Sequence, residues 1–112
     1  MTYQEITTLE EWNTLLQEFD NKGIVVFKHS TTCPVSASAL EEYEQYLEGT
    51  PNTDVAYYFV KVIESRPVSN QIAEDLQVKH ASPQILYFDK KHCVWNTSHW
   101  SITVKHMTAV LN

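Results

Sequence analysis

The run Ile24-Val25-Val26-Phe27 constrains this chain more than any other stretch. Consecutive apolar, β-prone residues with no polar alternation describe a strand covered on both faces. Such a strand lies inside a sheet flanked by helices, so the neighbouring segments must supply those layers. Upstream, Thr8 and Glu11 form a capping-box pattern, and Leu9, Trp12, Leu15, Leu16 and Phe19 recur along one helical face. Gly23 fits the left-handed stop that ends many helices. Downstream, a polar loop from Lys28 to Thr32 leads into Cys33-Pro34. Pro34 suits the first turn of a helix, where its missing N–H costs nothing. Ala37, Leu40, Tyr43 and Leu47 give that helix an apolar face, and Gly49-Thr50-Pro51 ends it.

Residues 55–63 are a second β-rich run, broken at Arg66-Pro67. Val68, Ile72, Ala73 and Leu76 are again helix-spaced. Ser82-Pro83 precedes a third strand at 84–88, and Asp89-Lys90-Lys91-His92 has the length of a hairpin turn. Residues 93–97 are a fourth strand, and 102–111 read as a closing helix with Ile102, His106, Ala109 and Val110 on one side. Trp12 and Trp95 are expected in the core. The order α-β-α-β-α-β-β-α predicts parallel pairing where helices connect strands and an antiparallel final hairpin. That is an α/β, thioredoxin-like fold: a four-stranded mixed sheet with flanking helices, spanning 1–112 as a single domain.

Composition narrows the function classes. The chain has 112 residues, and 43% are hydrophobic and 20% charged, ordinary values for a globular protein. No apolar run approaches ~20 residues, which argues against a membrane span. The net charge of -6 argues against a nucleic-acid partner, which needs a basic surface to neutralise phosphates. Met1 to Ile6 show no basic or apolar leader, so a cytoplasmic protein with reduced thiols is expected. Two cysteines do not make a disulfide framework. The five histidines lack metal-ligand spacing, so no metal site is expected.

The chemistry-bearing motif is Thr32-Cys33-Pro34-Val35-Ser36. It sets Cys33 at a helix N-terminus, where unpaired amides and the positive end of the helix dipole favour a thiolate. Ser36 stands where dithiol oxidoreductases carry a resolving cysteine, so the site is monothiol, and the Ser36 hydroxyl is expected to hydrogen-bond the thiolate. Taken alone, a Cys-Pro helix start also fits an inert N-cap. In the thioredoxin fold the proline of Ser82-Pro83 is cis and faces the active-site cysteine. Cys93 opens the fourth strand, beyond the hairpin and at the opposite pole of the sheet, too far for a disulfide with Cys33.

Residues 27–36, residues 78–84, and Val94-Trp95-Asn96 with His99 resemble the monothiol bacilliredoxins of the YtxJ-like branch. The resemblance covers nearly the whole chain. It implies a bacterial cytosolic oxidoreductase with a redox-active cysteine and no tightly bound cofactor. Bacillithiol, a low-molecular-weight thiol, would be its co-substrate, and Cys33 would remove bacillithiol from client proteins. Cys33, Pro34 and Ser36 are then the catalytic candidates. Bacillithiol carries a malate group with two carboxylates, so donors and positive charge are expected around the mouth. Lys28, His29, Thr32, Lys79, His80, Ser82, Pro83, Ser98 and His99 are the substrate-binding candidates. Ser98 and His99 return to the active-site end on the fourth strand and precede the last helix, whose free amides suit a carboxylate. Two other classes compete: an iron–sulfur carrier of the monothiol glutaredoxin type, and a non-enzymatic, stress-linked adaptor. A peroxidase fits less well, because it needs a Thr-x-x-Cys entry, a nearby Arg and a longer chain.

Overall fold

The computed structural model describes residues 2–18, 23–89 and 92–112. In chain order its elements are β1 (Gln4–Glu5), α1 (Leu9–Glu18), β2 (Gly23–His29), α2 (Pro34–Glu48), β3 (Val55–Lys61), α3 (Arg66–Leu76), β4 (Gln84–Asp89), β5 (His92–Ser98), a 3-10 turn (His99–Ser101) and α4 (Val104–Leu111). The sheet order is β1-β3-β2-β4-β5. The expected strands are present, and β1 adds a fifth by pairing parallel to β3. Two residues are too short to show a period, which is why the sequence gives no sign of it.

The apolar run lies in the central strand, β2, parallel to β3 and antiparallel to β4. The antiparallel β4 corrects the expectation that every helix-linked strand pairs in parallel. After α3 the chain turns at Ser82-Pro83 beside the exit of β2, and Gln84 pairs with Lys28, so β4 must run back. β4 and β5 are antiparallel, as the short connection requires. Phe19, and Lys90 and Lys91 of the expected turn, lie outside the described residues.

Successive residues of a strand face opposite sides. Val25 and Phe27 pack beneath α2 and α4 with Tyr43, Tyr46, Leu47, Met107 and Leu111. Ile24 and Val26 pack beneath α1 and α3 with Trp12, Val68, Ile72 and Leu76. None of the four β2 residues is more than 2% exposed. Each such side chain contributes about 1.5–3 kcal/mol through burial. The capping box forms as read: Glu11 N donates to Thr8 Oγ1 at 3.1 Å, and Thr8 N donates to Glu11 Oε1 at 3.1 Å.

Three details differ from expectation. Gly23 is no helix stop; it opens β2 without a positive φ, and a Cβ there would collide with the Tyr87 ring on β4. On α2 the buried set is Ser36, Ala39, Tyr43, Tyr46 and Leu47, while Ala37 is exposed. On α4 it is Met107 and Leu111, with Ala109 and Val110 exposed. Ile102 precedes that helix and therefore does not mark its buried face.

Candidate functional site

Cys33 is the N-cap of α2, in extended backbone, and its side chain makes no capping bond. Ala37 N donates to Cys33 O at 3.0 Å, the first intrahelical bond. The amides of Val35 and Ser36 come before it, at the end where a helix leaves its donors free. Pro34 takes the first helical position, as expected. Cys33 is half-buried between exposed Thr32 and exposed Pro34. The loop is held in part by Cys33 N donating to Ser30 O at 3.2 Å and Thr31 Oγ1 donating to Glu64 Oε2 at 3.1 Å.

Ser36 lies one helical turn on and is fully buried. Its oxygen accepts the Ser30 N–H at 2.9 Å and lies 2.7 Å from His29 Nδ1. Among the described residues it makes no hydrogen bond to Cys33, so the expected Ser36–thiolate contact is replaced by a lock on the loop. His29 is 8% exposed and sits over the rings of Phe27 and Phe59, with centroids 6.2 and 5.6 Å away. Burial holds its imidazole below the ordinary histidine range. His29 therefore faces inward to Ser36 rather than outward to a substrate.

The Ser82–Pro83 bond is cis, as expected. Lys28 pairs with Gln84 and Gln84 with Ser98, which brings Pro83 and Ser98 to the exit end of β2. His99 N donates to Pro83 O at 3.0 Å, with His99 itself at φ 55. The returning strand thus occupies the Pro83 carbonyl, while Ser82 Oγ is buried with no partner among the described residues. His99 is exposed, and Trp100 beside it is 71% exposed. The expected carboxylate site at the last helix is already filled. Val104 N donates to Glu42 Oε1 at 3.0 Å, and His106 N donates to Thr103 Oγ1 at 3.1 Å. Glu42 and Val104 are 62 residues apart, a pairing with no sequence signal.

Lys28 is also displaced from the mouth. Alternation sends it to the α3 face, where it is wholly buried. Its Nζ donates to Ser69 O at 2.9 Å and lies 3.3 Å from His80 Nδ1. Burial lowers its pKa to about 8. His80 is half-buried, its pKa lowered by burial first and then by Lys28 and Arg66. Lys79 remains exposed, its carbonyl accepting Gln84 Nε2 at 3.1 Å. Of the expected basic groups, Lys79 and His99 face solvent; Lys28 and His29 do not.

Both cysteines are free. Cys93 pairs with Phe88, which pairs with Ile24, so it sits at the entry end of β2, as expected. Gln84 and Phe88 are separated by about 13 Å of strand at ~3.3 Å per residue, so no bridge to Cys33 is within reach. A bulge inserts Val94 opposite Tyr87 and Phe88. Cys93 Sγ donates to Trp95 O at 3.4 Å, and burial pushes its pKa up. It lines a cavity of about 480 Å³ with Asp75, Leu76, Gln77 and Val78. Among the described residues no cluster of three or more His, Cys, Asp or Glu is placed to hold a metal, and no helix is long and apolar enough to cross a membrane.

The fold is shared with solved thioredoxin-fold proteins. One, described by inference as an oxidoreductase with a thioredoxin fold, is 33% identical, with a TM-score of 0.81 over 96% of this chain and 91% of that one. The Malassezia sympodialis thioredoxin is 19% identical, with a TM-score of 0.75 over 98% and 88%. Chlamydomonas reinhardtii thioredoxin f2 is 19% identical, with a TM-score of 0.70 over 99% and 94%. The last two show the fold alone. Residues 4–107 match the family model described as monothiol bacilliredoxin BrxC. A thiol motif at a helix start, a cis-proline at the exit end of β2 and this match agree: the chain is a thioredoxin-fold member of the monothiol bacilliredoxin family, whose function is thiol–disulfide redox chemistry.

Proposed function

We propose that the protein removes bacillithiol from protein mixed disulfides in the cytosol, using Cys33 in a Cys-x-x-Ser site. The carrying observation is a half-buried Cys33 at the start of α2 with a buried serine, not a second thiol, one turn on. Amides at that helix start favour negative charge on Sγ. The thiolate attacks the bacillithiol sulfur of the mixed disulfide. The protein–bacillithiol S–S bond breaks, the client leaves as a thiolate that takes up a proton, and a Cys33–bacillithiol disulfide forms. With no neighbouring thiol to resolve it, that adduct waits for free bacillithiol. Its thiolate attacks the bound bacillithiol sulfur, releasing Cys33 thiolate and bacillithiol disulfide. The client is reduced and two bacillithiols are joined, so electrons balance without a cofactor.

The rim supports a dicarboxylate thiol as co-substrate. Thr32, Lys79 and His99 are exposed there, and Ser98 lies at the same end of the sheet. Pro34 starts the helix, and Ser82 and cis-Pro83 lie at the exit end of β2. The test is mass spectrometry of the protein treated with oxidised bacillithiol. One bacillithiol on the Cys33 peptide, removed by free bacillithiol, is expected; a protein left unmodified overturns the reading.

A further inference from the structure

The Ser36 hydroxyl has one proton and two lone pairs to distribute. One lone pair holds the Ser30 N–H at 2.9 Å. The contact to His29 Nδ1 is 2.7 Å. Among the described residues Ser36 Oγ has no other partner, so its buried proton is satisfied only if His29 Nδ1 accepts it. A neutral imidazole with Nδ1 unprotonated is the matching acceptor. Its surroundings keep His29 neutral. Burial over Phe27 and Phe59 and the charge of Lys61 disfavour the imidazolium, against the opposing pull of Glu64, the Ser36 backbone and Glu44. Ser36 is N3 to the Cys33 N-cap, the position whose side chain turns back towards the cap. With its proton given to His29, it offers Cys33 only a lone pair.

We propose that His29 is a positioning residue that takes the Ser36 proton and so prevents Ser36 from donating to the Cys33 thiolate. This rests on the reading of Cys33 as the nucleophile. A thiolate with one donor fewer is less stabilised and more nucleophilic, since nucleophilicity falls with basicity at a Brønsted slope of about 0.4–0.5. The monothiol site then differs from a dithiol site in more than the missing sulfur: the serine is kept from quenching the attack.

The test compares iodoacetamide alkylation of Cys33, read from its own peptide, across pH in the wild type, His29→Phe, Ser36→Ala and the double variant. Phenylalanine fills the place over Phe27 and Phe59 but accepts no proton, so the Ser36 hydroxyl becomes free to donate. For a bond that raises thiolate population tenfold, His29→Phe should react about threefold faster at pH 6 and about threefold slower at pH 9. Ser36→Ala should abolish that crossing, and His29→Asn, which keeps an acceptor, should behave as the wild type. Parallel profiles for wild type and His29→Phe, or a crossing that survives Ser36→Ala, overturn the proposal. Should His29→Phe not fold, ¹⁵N NMR of the wild type decides. An unprotonated Nδ1 is expected, and an Nδ1–H tautomer overturns the assignment. Alkylation needs no bacillithiol, so failure of the bacillithiol adduct and failure of this crossing are separate results.

Discussion

At the exit end of β2, Cys33 stands at a helix start with exposed residues on either side; at the entry end, Cys93 lies on an edge strand against Phe88. Both thiols are half-buried, so exposure does not separate them. Their settings in the fold do. Cys33 faces the donor end of α2, and donors there favour a thiolate. Cys93 lies on a strand, where burial favours the thiol and the Asn96 and Trp95 contacts oppose it only weakly.

The largest way to break this comparison is to remove each sulfur. Cys33→Ala should reduce release of bacillithiol from a mixed-disulfide client by at least roughly a thousandfold, because the nucleophile is lost. Cys93→Ala should change it by less than about twofold, since that thiol lies at the other pole of the sheet. The assay follows the freed client thiol under single turnover. Comparable losses in both variants would mean that Cys93 takes part in the exchange.

A second contrast concerns charge. The exit end buries the Lys28 ammonium, lowered to about 8, on the α3 face. In the unfolded chain the group keeps its proton to near its ordinary value of ~10.4. Between about pH 8 and that value the unfolded state therefore binds more protons, and this residue's contribution to stability rises with pH. Below about pH 8 its burial penalty is complete. Lys28→Met removes the titration. Relative to the wild type, its stability in urea unfolding should fall by up to about 2–3 kcal/mol between pH 7 and pH 10. A difference constant across that range would show Lys28 to be solvated rather than buried.

The sequence carries the fold better than it carries the site's interior. The apolar run at β2, the Thr8–Glu11 box and the Cys33-Pro34 helix start are local signals, and each forms where the residues place it. Alternation within β2 also separates Lys28 from His29, yet both residues are polar and read as donors around the mouth. No local pattern reveals that Ser69, His80 and Ser36 would satisfy them inside. The filled N-terminus of α4 is hidden for the same reason, because Glu42 arrives from α2. Gly23 has a cause that is also non-local, the Tyr87 ring on a strand that pairs only after folding.

The smallest expected effect sharpens the contrast between the thiols themselves. Burial raises the Cys93 pKa above its ordinary value, against weaker lowering by Asn96 and Trp95. Only the thiolate reacts with an alkylating agent, so Cys93 depends on a minor species at neutral pH. Its alkylation should be at least roughly tenfold slower than that of Cys33 at pH 7, and should climb by close to tenfold per pH unit towards pH 9. Asn96 Nδ2 approaches Cys93 Sγ at 3.9 Å, a long contact that supports the thiolate weakly. Asn96→Ala should therefore slow Cys93 by only about twofold at pH 8 and leave Cys33 unchanged, because the Asn96 amide contacts the Cys93 sulfur. Peptide-resolved mass spectrometry reads both thiols in one sample. A Cys93 that matches Cys33 at pH 7 would mean that burial on the strand and the helix start do not set the reactivity of these two cysteines.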